Sequence, residues 1–160
     1  MLKICALAET RGHSLFLLGS APGVAESAGR VLMQRFPALK LVGAYHGYFE
    51  DSEEPSLIAL IRGAKPSLLF VGMGMPAQEK WIARNLRALN VPVVMGVGGS
   101  FDVLSGKLKR APAPIRRLGI EWLFRLSQEP WRWRRIAQLP VFAWRVIKES
   151  KIANRGSHIE

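Results

Sequence analysis

Residues 67–74 read SLLFVGMG, an apolar run that ends in glycine. Three other runs have the same form: LFLLGS at 15–20, LKLVGAYHG at 39–47 and VPVVMGVGG at 91–99. Short continuous apolar runs without alternation are typical of strands that are buried on both faces, as in a parallel sheet. The chain is therefore expected to form four parallel strands, each followed by glycine.

The segments between these runs have helical spacing. Each carries apolar residues on one helix face: Val24, Ala28, Val31 and Leu32; then Leu57, Ile58 and Ile61; then Ile82, Leu86 and Leu89. Strands that alternate with helices form βαβ units with right-handed crossovers. The predicted fold is α/β: an open, Rossmann-like parallel sheet of about four strands with flanking helices and the first strand near the middle.

The glycines fall at the carboxyl ends of the strands, where open parallel sheets bind ligands. The segments GSAPG (19–23) and GMGMPAQE (72–79) are expected on either side of a crevice, with GVGGSFDVLSGKLKRAP (96–112) as a third wall. Glycine-rich turns alone are weak evidence for a nucleotide, and the chain matches neither G-x-G-x-x-G nor the P-loop. A dehydrogenase or an NTPase is therefore disfavoured.

Positive charge is concentrated in the last third of the 160 residues. Residues 1–106 hold ten Lys/Arg and eight Asp/Glu, whereas residues 107–160 hold thirteen and four, so the net charges are +2 and +9. We therefore predict a balanced α/β domain over 1–106 and a basic helical appendage over 107–160. Such asymmetry indicates an anionic partner: the phosphates of a small ligand, anionic lipid or nucleic acid.

The basic segment also holds four of the five tryptophans. Ile115, Leu118, Trp122 and Leu126 are spaced to form one helical face, so the segment could lie in a membrane interface or pack on the sheet as a helical hairpin. Stacking on single-stranded nucleic acid is disfavoured because no recognised motif accompanies the aromatic residues. No apolar run is long enough to span a bilayer, and the single cysteine is typical of a reducing cytoplasm.

Several polar residues allow both a structural and a functional interpretation. Gln78 and Glu79, early in a predicted helix, either cap it or face the crevice. Asp102 is either a helix-dipole partner or an acceptor for a ribose or a base. The acidic segment EDSEEP (50–55) is interpreted as a helix start capped by Asp51 or Ser52 rather than as a metal site. His46 is interpreted as a structural hydrogen-bonding residue.

Five stretches carry a resemblance to a known family: LLGSAPGVAESA, FPALKLVGAYHGYF, VGMGMPAQEKWI, GVGGSFDVLSGKLKRAP and LGIEWLFRLSQEPWRWRR. In order and spacing they resemble the WecG/TagA/CpsF family, glycosyltransferase family 26, over about residues 14–136. The resemblance implies that the crevice binds a UDP-sugar. The donor-binding residues that it suggests are Gly19, Ser20, Tyr48, Gly72, Gly74, Gln78, Glu79, Gly98, Gly99, Phe101, Asp102, Lys107 and Arg110.

The resemblance also implies an inverting transfer of an N-acetylhexosamine, with N-acetylmannosamine as the expected sugar. The acceptor would be a polyprenyl-diphosphate-linked sugar at the inner face of the bacterial plasma membrane. The products would be teichoic acid linkage units, enterobacterial common antigen or exopolysaccharide. Arg125, Arg132 and Arg135 would stabilise the departing UDP without a metal or another cofactor.

In one respect the chain departs from the family pattern. Family members carry a further segment, before the block matching LFLLGS, which holds the acceptor-binding residues and the aspartate proposed as general base. Nothing in residues 1–14 is expected to replace that segment. The alternatives are a truncated product, an enzyme complemented by another polypeptide, and a non-catalytic module that binds the donor or the membrane surface. Apolar surface where the missing segment would pack also favours self-association into a homo-oligomer.

Overall fold

The computed structural model describes residues 1–109, 112, 115, 117–119 and 121–128. The chain divides into two compact units, Met1–Lys109 and Arg110–Glu160. The elements of the first unit are α1 (Leu2–Arg11), β1 (Ser14–Gly19), α2 (Val24–Arg35), β2 (Lys40–Tyr45), α3 (Glu54–Ala64), β3 (Leu68–Gly72), α4 (Ala77–Leu89), β4 (Val93–Gly96) and α5 (Ser100–Leu104). The second unit contains α6 (Glu121–Gln128).

The four strands form one parallel sheet in the order β2-β1-β3-β4. The predicted α/β class, strand number and central position of β1 are confirmed. Strands β1 and β3 are buried along nearly their whole length, as predicted. For β2 and β4 the prediction of full burial was wrong, because each has one neighbouring strand in the described sheet and keeps exposed residues.

Two apolar cores cover the two faces of the sheet. Alternation along β1 sends Leu15 and Leu17 to a core shared with α1, α2 and α5. Phe16 and Leu18 point to the opposite core, which includes residues of α3 and α4. Because β1 supplies side chains to both cores, it fixes the position at which the chain leaves the sheet after Gly19.

The buried face of α4 differs from the predicted one. The sequence predicted Ile82, Leu86 and Leu89, but the buried residues are Gln78, Trp81, Asn85 and Leu89, and half of Leu86 is exposed. The burial of Asn85 is stabilised by hydrogen bonding, since its Nδ2 donates to Glu54 Oε1 of α3 at 2.8 Å and to the Trp81 carbonyl at 3.1 Å. Polar residues whose side chains are hydrogen-bonded therefore occupy part of the face of α4 that was expected to be apolar.

The start of α3 also differs from the prediction. The N-cap is Glu53, without a side-chain capping bond, and neither Asp51 nor Ser52 has that position. Instead, Glu53 Oε2 accepts a hydrogen bond from the Glu50 amide at 2.8 Å. The acidic segment therefore initiates a helix, as predicted, through a different residue.

In the second unit, the predicted continuous helical face from Ile115 to Leu126 was wrong. Leu118 and Gly119 form a turn, and Gly119 has a left-handed φ of 72°. A residue in that conformation ends a right-handed helix. Helix α6 begins after this turn, at Glu121.

Candidate functional site

The carboxyl ends of β1 and β3 approach each other backbone to backbone. A Cβ atom added at Gly19 would lie 2.5 Å from the carbonyl carbon and oxygen of Gly72. The Ser20 amide donates to the Gly72 carbonyl at 2.9 Å. Gly19 also has a φ of 142°, which side-chain-bearing residues rarely adopt. Glycine at position 19 is therefore required by the contact between the two strand ends.

Gly72 has a comparable role on its other side. A Cβ there would lie 2.7 Å from Phe101 Cδ2 and 2.9 Å from the Gly98 carbonyl oxygen. Phe101 is fully buried in the core under α5. The sequence interpretation assigned Gly19, Gly72 and Phe101 to donor binding, but in this structure protein atoms fill the space beside both glycines. The three residues pack at the carboxyl edge of the sheet, and their assignment to donor binding stays a prediction.

A hydrogen bond joins the loop after β1 to helix α5. The Ser20 hydroxyl donates to Asp102 Oδ2 at 3.1 Å, across 82 residues of sequence. Ser20 is buried and has a left-handed φ of 57°, which turns its side chain away from the strand. Two of the predicted site residues are thus in direct contact at the carboxyl edge of the sheet.

Gly47, which sequence analysis did not select, brings the loop after β2 into the same cluster. Its amide donates to the Ser20 carbonyl at 2.8 Å, and a Cβ added to it would lie 3.0 Å from Gly19 Cα. A sequence signal was present, because GSAPG and the glycine of YHGYF follow two adjacent strands. His46 Nδ1 accepts a hydrogen bond from the Tyr48 amide at 3.3 Å, and its structural role stays a prediction.

Gln78 connects α4 to the loop after β4. Its Oε1 accepts from the Gly98 amide at 2.9 Å, and its Nε2 donates to Glu79 Oε1 at 2.8 Å. The side chain is 5% exposed. The sequence interpretation left Gln78 free to face the crevice; the structure shows that both ends of its amide are bonded within the protein. Its direct role is to hold the loop that leads to Asp102.

The remaining predicted donor-site residues differ in how exposed they are to solvent. Gly74 and Gly98 have left-handed φ values of 77° and 54°, and a Cβ at either would meet no atom within 4 Å. Gly99 is the N-cap of α5. These three glycines are partly exposed, and the fully exposed members of the predicted set are Tyr48, Glu79 and Lys107.

The predicted cations other than Lys107 are Arg110, Arg125, Arg132 and Arg135. Arg125 lies on α6, and Arg110, Arg132 and Arg135 lie outside the described residues. Within the described part of the chain, no group of three or more His, Cys, Asp and Glu side chains could hold a metal ion. None of the helices described is long and apolar enough to cross a membrane.

The fold and this cluster define the class of the protein. Strand β2 lies on one side of β1, and strand β3, which comes later in the chain, lies on the other side. The strand order therefore reverses between β1 and β3. Loops at the carboxyl edge of such a switch point form the ligand site of doubly wound α/β proteins. Ser20, Asp102 and the open glycines lie at that edge.

Comparison with known proteins identifies the family. The sequence profile of the glycosyl transferase WecG/TagA/CpsF family matches residues 1–156, and the chain belongs to this family. An N-acetylglucosaminyldiphosphoundecaprenol N-acetyl-beta-D-mannosaminyltransferase of Bacillus subtilis (strain 168) is 37% identical over 150 residues, which are 93% of this chain and 57% of the relative. The enzyme of the same name from Staphylococcus aureus (strain MW2) is 37% identical over 145 residues, 91% of this chain and 56% of the relative. The chain thus spans a little over half the length of these relatives.

Proposed function

We propose that this chain binds a UDP-linked sugar at the carboxyl edge of its sheet and contributes that site to an inverting glycosyltransferase. The sugar would be N-acetylmannosamine and the acceptor a polyprenyl-diphosphate-linked sugar. Support comes from family membership and from the two relatives, whose names specify this sugar and an undecaprenol-linked acceptor. The products would serve the assembly of cell-surface polysaccharide.

The observation that carries the proposal is the contact between Ser20 and Asp102. An ionised carboxylate has about four acceptor positions on its two oxygens, and Ser20 uses one of them. A ribose hydroxyl or the N–H of a uracil could donate to another. The serine hydrogen bond fixes the orientation of the carboxylate before the ligand arrives, which reduces the entropy cost of binding.

The diphosphate needs positive charge, since negative charge develops on UDP as the bond to the sugar breaks. Preorganised cations stabilise such charge, and arginine can bind two phosphate oxygens at once. We assign this role to Arg125, Arg132 and Arg135, with Lys107 and Arg110 near the donor, and expect no metal or other cofactor to be needed. The basic segment would also hold the protein on the anionic inner face of the membrane, where the acceptor lies.

In an inverting transfer, the acceptor hydroxyl attacks the anomeric carbon and loses a proton while UDP departs. The general base must lie within hydrogen-bond reach of that hydroxyl. We expect the base and the acceptor site on polypeptide that corresponds to the part of the relatives outside the matched segment. This chain would then contribute donor binding and stabilisation of the leaving group.

Calorimetric titration with UDP tests the donor site. The unmodified chain should bind UDP, and Asp102→Asn should weaken binding by about tenfold to a hundredfold, because a hydrogen bond to a charged group contributes about 1.5–3 kcal/mol. Glu9→Gln is the matched control. Glu9 Oε1 accepts from the Ala38 amide just before β2, at the opposite edge of the sheet, so its loss should leave UDP binding unchanged. Absence of heat at millimolar UDP would refute the proposal.

The alternative is a non-catalytic module that binds the donor or the membrane surface. Such a module would keep the contact between Ser20 and Asp102 at the carboxyl edge of the sheet but would catalyse no transfer. Transfer of radiolabelled sugar to a short-chain lipid-diphosphate acceptor separates the two functions. Labelled product from the chain, alone or with the complementary polypeptide, supports the enzyme; UDP binding without product in either case supports the module.

A further inference from the structure

The end of the sheet opposite the candidate site is the amino edge, where the strands begin. Helices α1 to α4 each lead into the next strand of the sheet, so their carboxyl-terminal ends also lie at this edge. Each of the four helices carries an exposed arginine in its last turn. Two exposed lysines accompany them, one at the start of β2 and one at the C-cap of α3. We call these six residues the amino-edge cluster: Arg11, Arg35, Lys40, Arg62, Lys65 and Arg87.

Within the described residues, acidic side chains are concentrated at the other end of the sheet. Four lie in the first turns of helices that begin at the carboxyl edge: Glu26, Glu54, Glu79 and Asp102. Three more precede α3 at the same edge: Glu50, Asp51 and Glu53. The carboxylate beside the amino-edge cluster is that of Glu9, whose Oε1 accepts a hydrogen bond from the Ala38 amide at 2.9 Å. The salt bridge that the described residues form joins Arg84 to Glu54, neither of which belongs to the cluster.

Stabilisation of the helices accounts for part of this arrangement. A cation in the last turn of a helix interacts favourably with the partial negative charge of the helix end, which is about half an elementary charge. Four helix ends and Glu9 therefore offset about half of the positive charge of the cluster. Two of its cations are neighbours, since Lys40 Nζ lies 3.7 Å from the position that a Cβ on Gly12 would have, next in sequence to Arg11. The described part of the amino edge thus keeps a surplus of positive charge that can attract an anionic partner.

Nucleic acid and a membrane surface fit the amino edge less well than a protein does. Single-stranded nucleic acid binds by stacking on exposed aromatic rings, whereas the aromatic residue beside the cluster, Phe36, is partly buried and has the Arg35 guanidinium 5.9 Å from its ring centroid. Duplex nucleic acid is read by a helix or a β-ribbon in a groove, and the amino edge presents helix ends. Strand β1 has six residues and is about 20 Å long, which separates the two edges. Because the proposed donor site must face a membrane-bound acceptor, the amino edge faces away from the bilayer.

We propose that the amino-edge cluster docks an acidic segment of a water-soluble partner protein. Arginine can donate two parallel hydrogen bonds to the oxygens of one carboxylate, so aspartate and glutamate side chains of the partner would pair with the four arginines, and the two lysines would add positive charge. The carboxyl edge stays open in this arrangement, so the partner and the proposed donor can bind at the same time. The preference for a soluble partner over lipid rests on the proposed donor site. Binding of carboxylates to the cluster does not depend on that site, so acidic-peptide binding and UDP binding can fail independently.

A fluorescein-labelled glutamate peptide of about twelve residues, which can extend over about 40 Å, serves as the probe. In fluorescence anisotropy the full chain should bind the peptide, and rising salt should weaken binding because exposed charges are screened. The cluster variant, Arg11→Gln with Arg62→Gln and Arg87→Gln, should weaken binding by about tenfold, since each exposed ion pair changes an equilibrium by about twofold to threefold.

The control variant, Lys3→Gln with Arg30→Gln and Lys80→Gln, removes three exposed cations outside the cluster. It should change peptide binding by less than about twofold, because distant exposed charges are screened. Carbodiimide cross-linking, which joins a carboxylate to a nearby lysine amine with loss of water, locates the peptide on the unmodified chain. Mass spectrometry should find more cross-links at Lys40 and Lys65 than at Lys3 and Lys80.

Circular dichroism of both variants verifies that they are folded. Absence of peptide binding at low salt overturns the proposal, as does equal weakening of binding by the two variants. Cross-links at Lys40 and Lys65 that are no more frequent than those at Lys3 and Lys80 overturn it as well. So does binding of phosphatidylserine vesicles or of a single-stranded oligonucleotide that the cluster variant weakens while peptide binding is unchanged, because the cluster would then serve a lipid or a nucleic acid.

Discussion

Replacement of Gly19 by alanine should destabilise the protein through the contact between strand ends. The added Cβ would lie 2.5 Å from the backbone of Gly72, where no side-chain rotation can relieve the overlap. Overpacking costs about 1–3 kcal/mol, and a strained backbone conformation such as the φ of 142° costs about 1–3 kcal/mol more. We expect a loss of about 3 kcal/mol in the free energy of unfolding, which lowers Tm by about 10 °C in a unit of this size.

Thermal unfolding followed by circular dichroism measures this effect, with Gly63→Ala as the matched control. Gly63 lies near the end of α3, and a Cβ there meets no atom within 4 Å. Since alanine favours helix over glycine, the control should gain about 0.5 kcal/mol. If Gly19→Ala melts within about 2 °C of the unmodified protein, the backbone contact does not constrain position 19 and the reasoning is refuted.

Three further predictions concern the site and the core. Gln78→Met keeps the length of the side chain but removes the hydrogen bond to Gly98. It should weaken UDP binding, measured by calorimetry, by about threefold to tenfold, since a lost hydrogen bond costs about 0.5–1.5 kcal/mol. Asn85→Leu removes the hydrogen bond to Glu54 Oε1 and leaves that oxygen with Arg84 Nη2 at 3.7 Å. The free energy of unfolding, measured by urea titration, should fall by about 1–2 kcal/mol because a hydrogen bond to a charged group is lost, and an unchanged value would contradict this. Burial raises the pKa of the Cys5 thiol above 9.0 in the folded protein, so the folded state holds the thiol proton more tightly than the unfolded state does. The resulting stabilisation is complete below about pH 9 and is lost as the pH rises towards the folded pKa. The unfolding free energy of the unmodified protein relative to Cys5→Ala should therefore fall as the pH rises above about 9 in urea titrations, and a constant difference would contradict the assignment.

The sequence predicted those parts of the fold that depend on local pattern. Glycine-ended apolar runs located all four strands, and the order of strands and helices indicated the parallel sheet. The buried face of α4 was not predictable from apolar spacing, because Gln78 and Asn85 are buried through hydrogen bonds to distant residues. The predicted burial of the edge strands β2 and β4 was too high, because periodicity does not indicate how many neighbouring strands a strand has.

The cluster of Ser20 and Asp102 was predictable in location but not in detail. Parallel strands bring their carboxyl ends together, so Ser20 and Asp102 could be assigned to one edge from the sequence. Whether a glycine leaves room for a ligand or for the protein depends on atoms far away in sequence. Gly19 and Gly72 face protein, whereas Gly74 and Gly98 face open space, and the sequence shows all four as glycines after strands.

The close backbone contact between Gly19 and Gly72 limits how this protein can be redesigned. Neither position accepts a larger residue unless the opposing backbone moves, so no single replacement there can reshape the innermost part of the proposed donor site. Attempts to alter the proposed preference for a sugar should instead diversify the outer positions, such as Tyr48 and Glu79, where exposed side chains tolerate changes in size. The scaffold therefore leaves the exposed outer residues as the positions at which the proposed site can be changed.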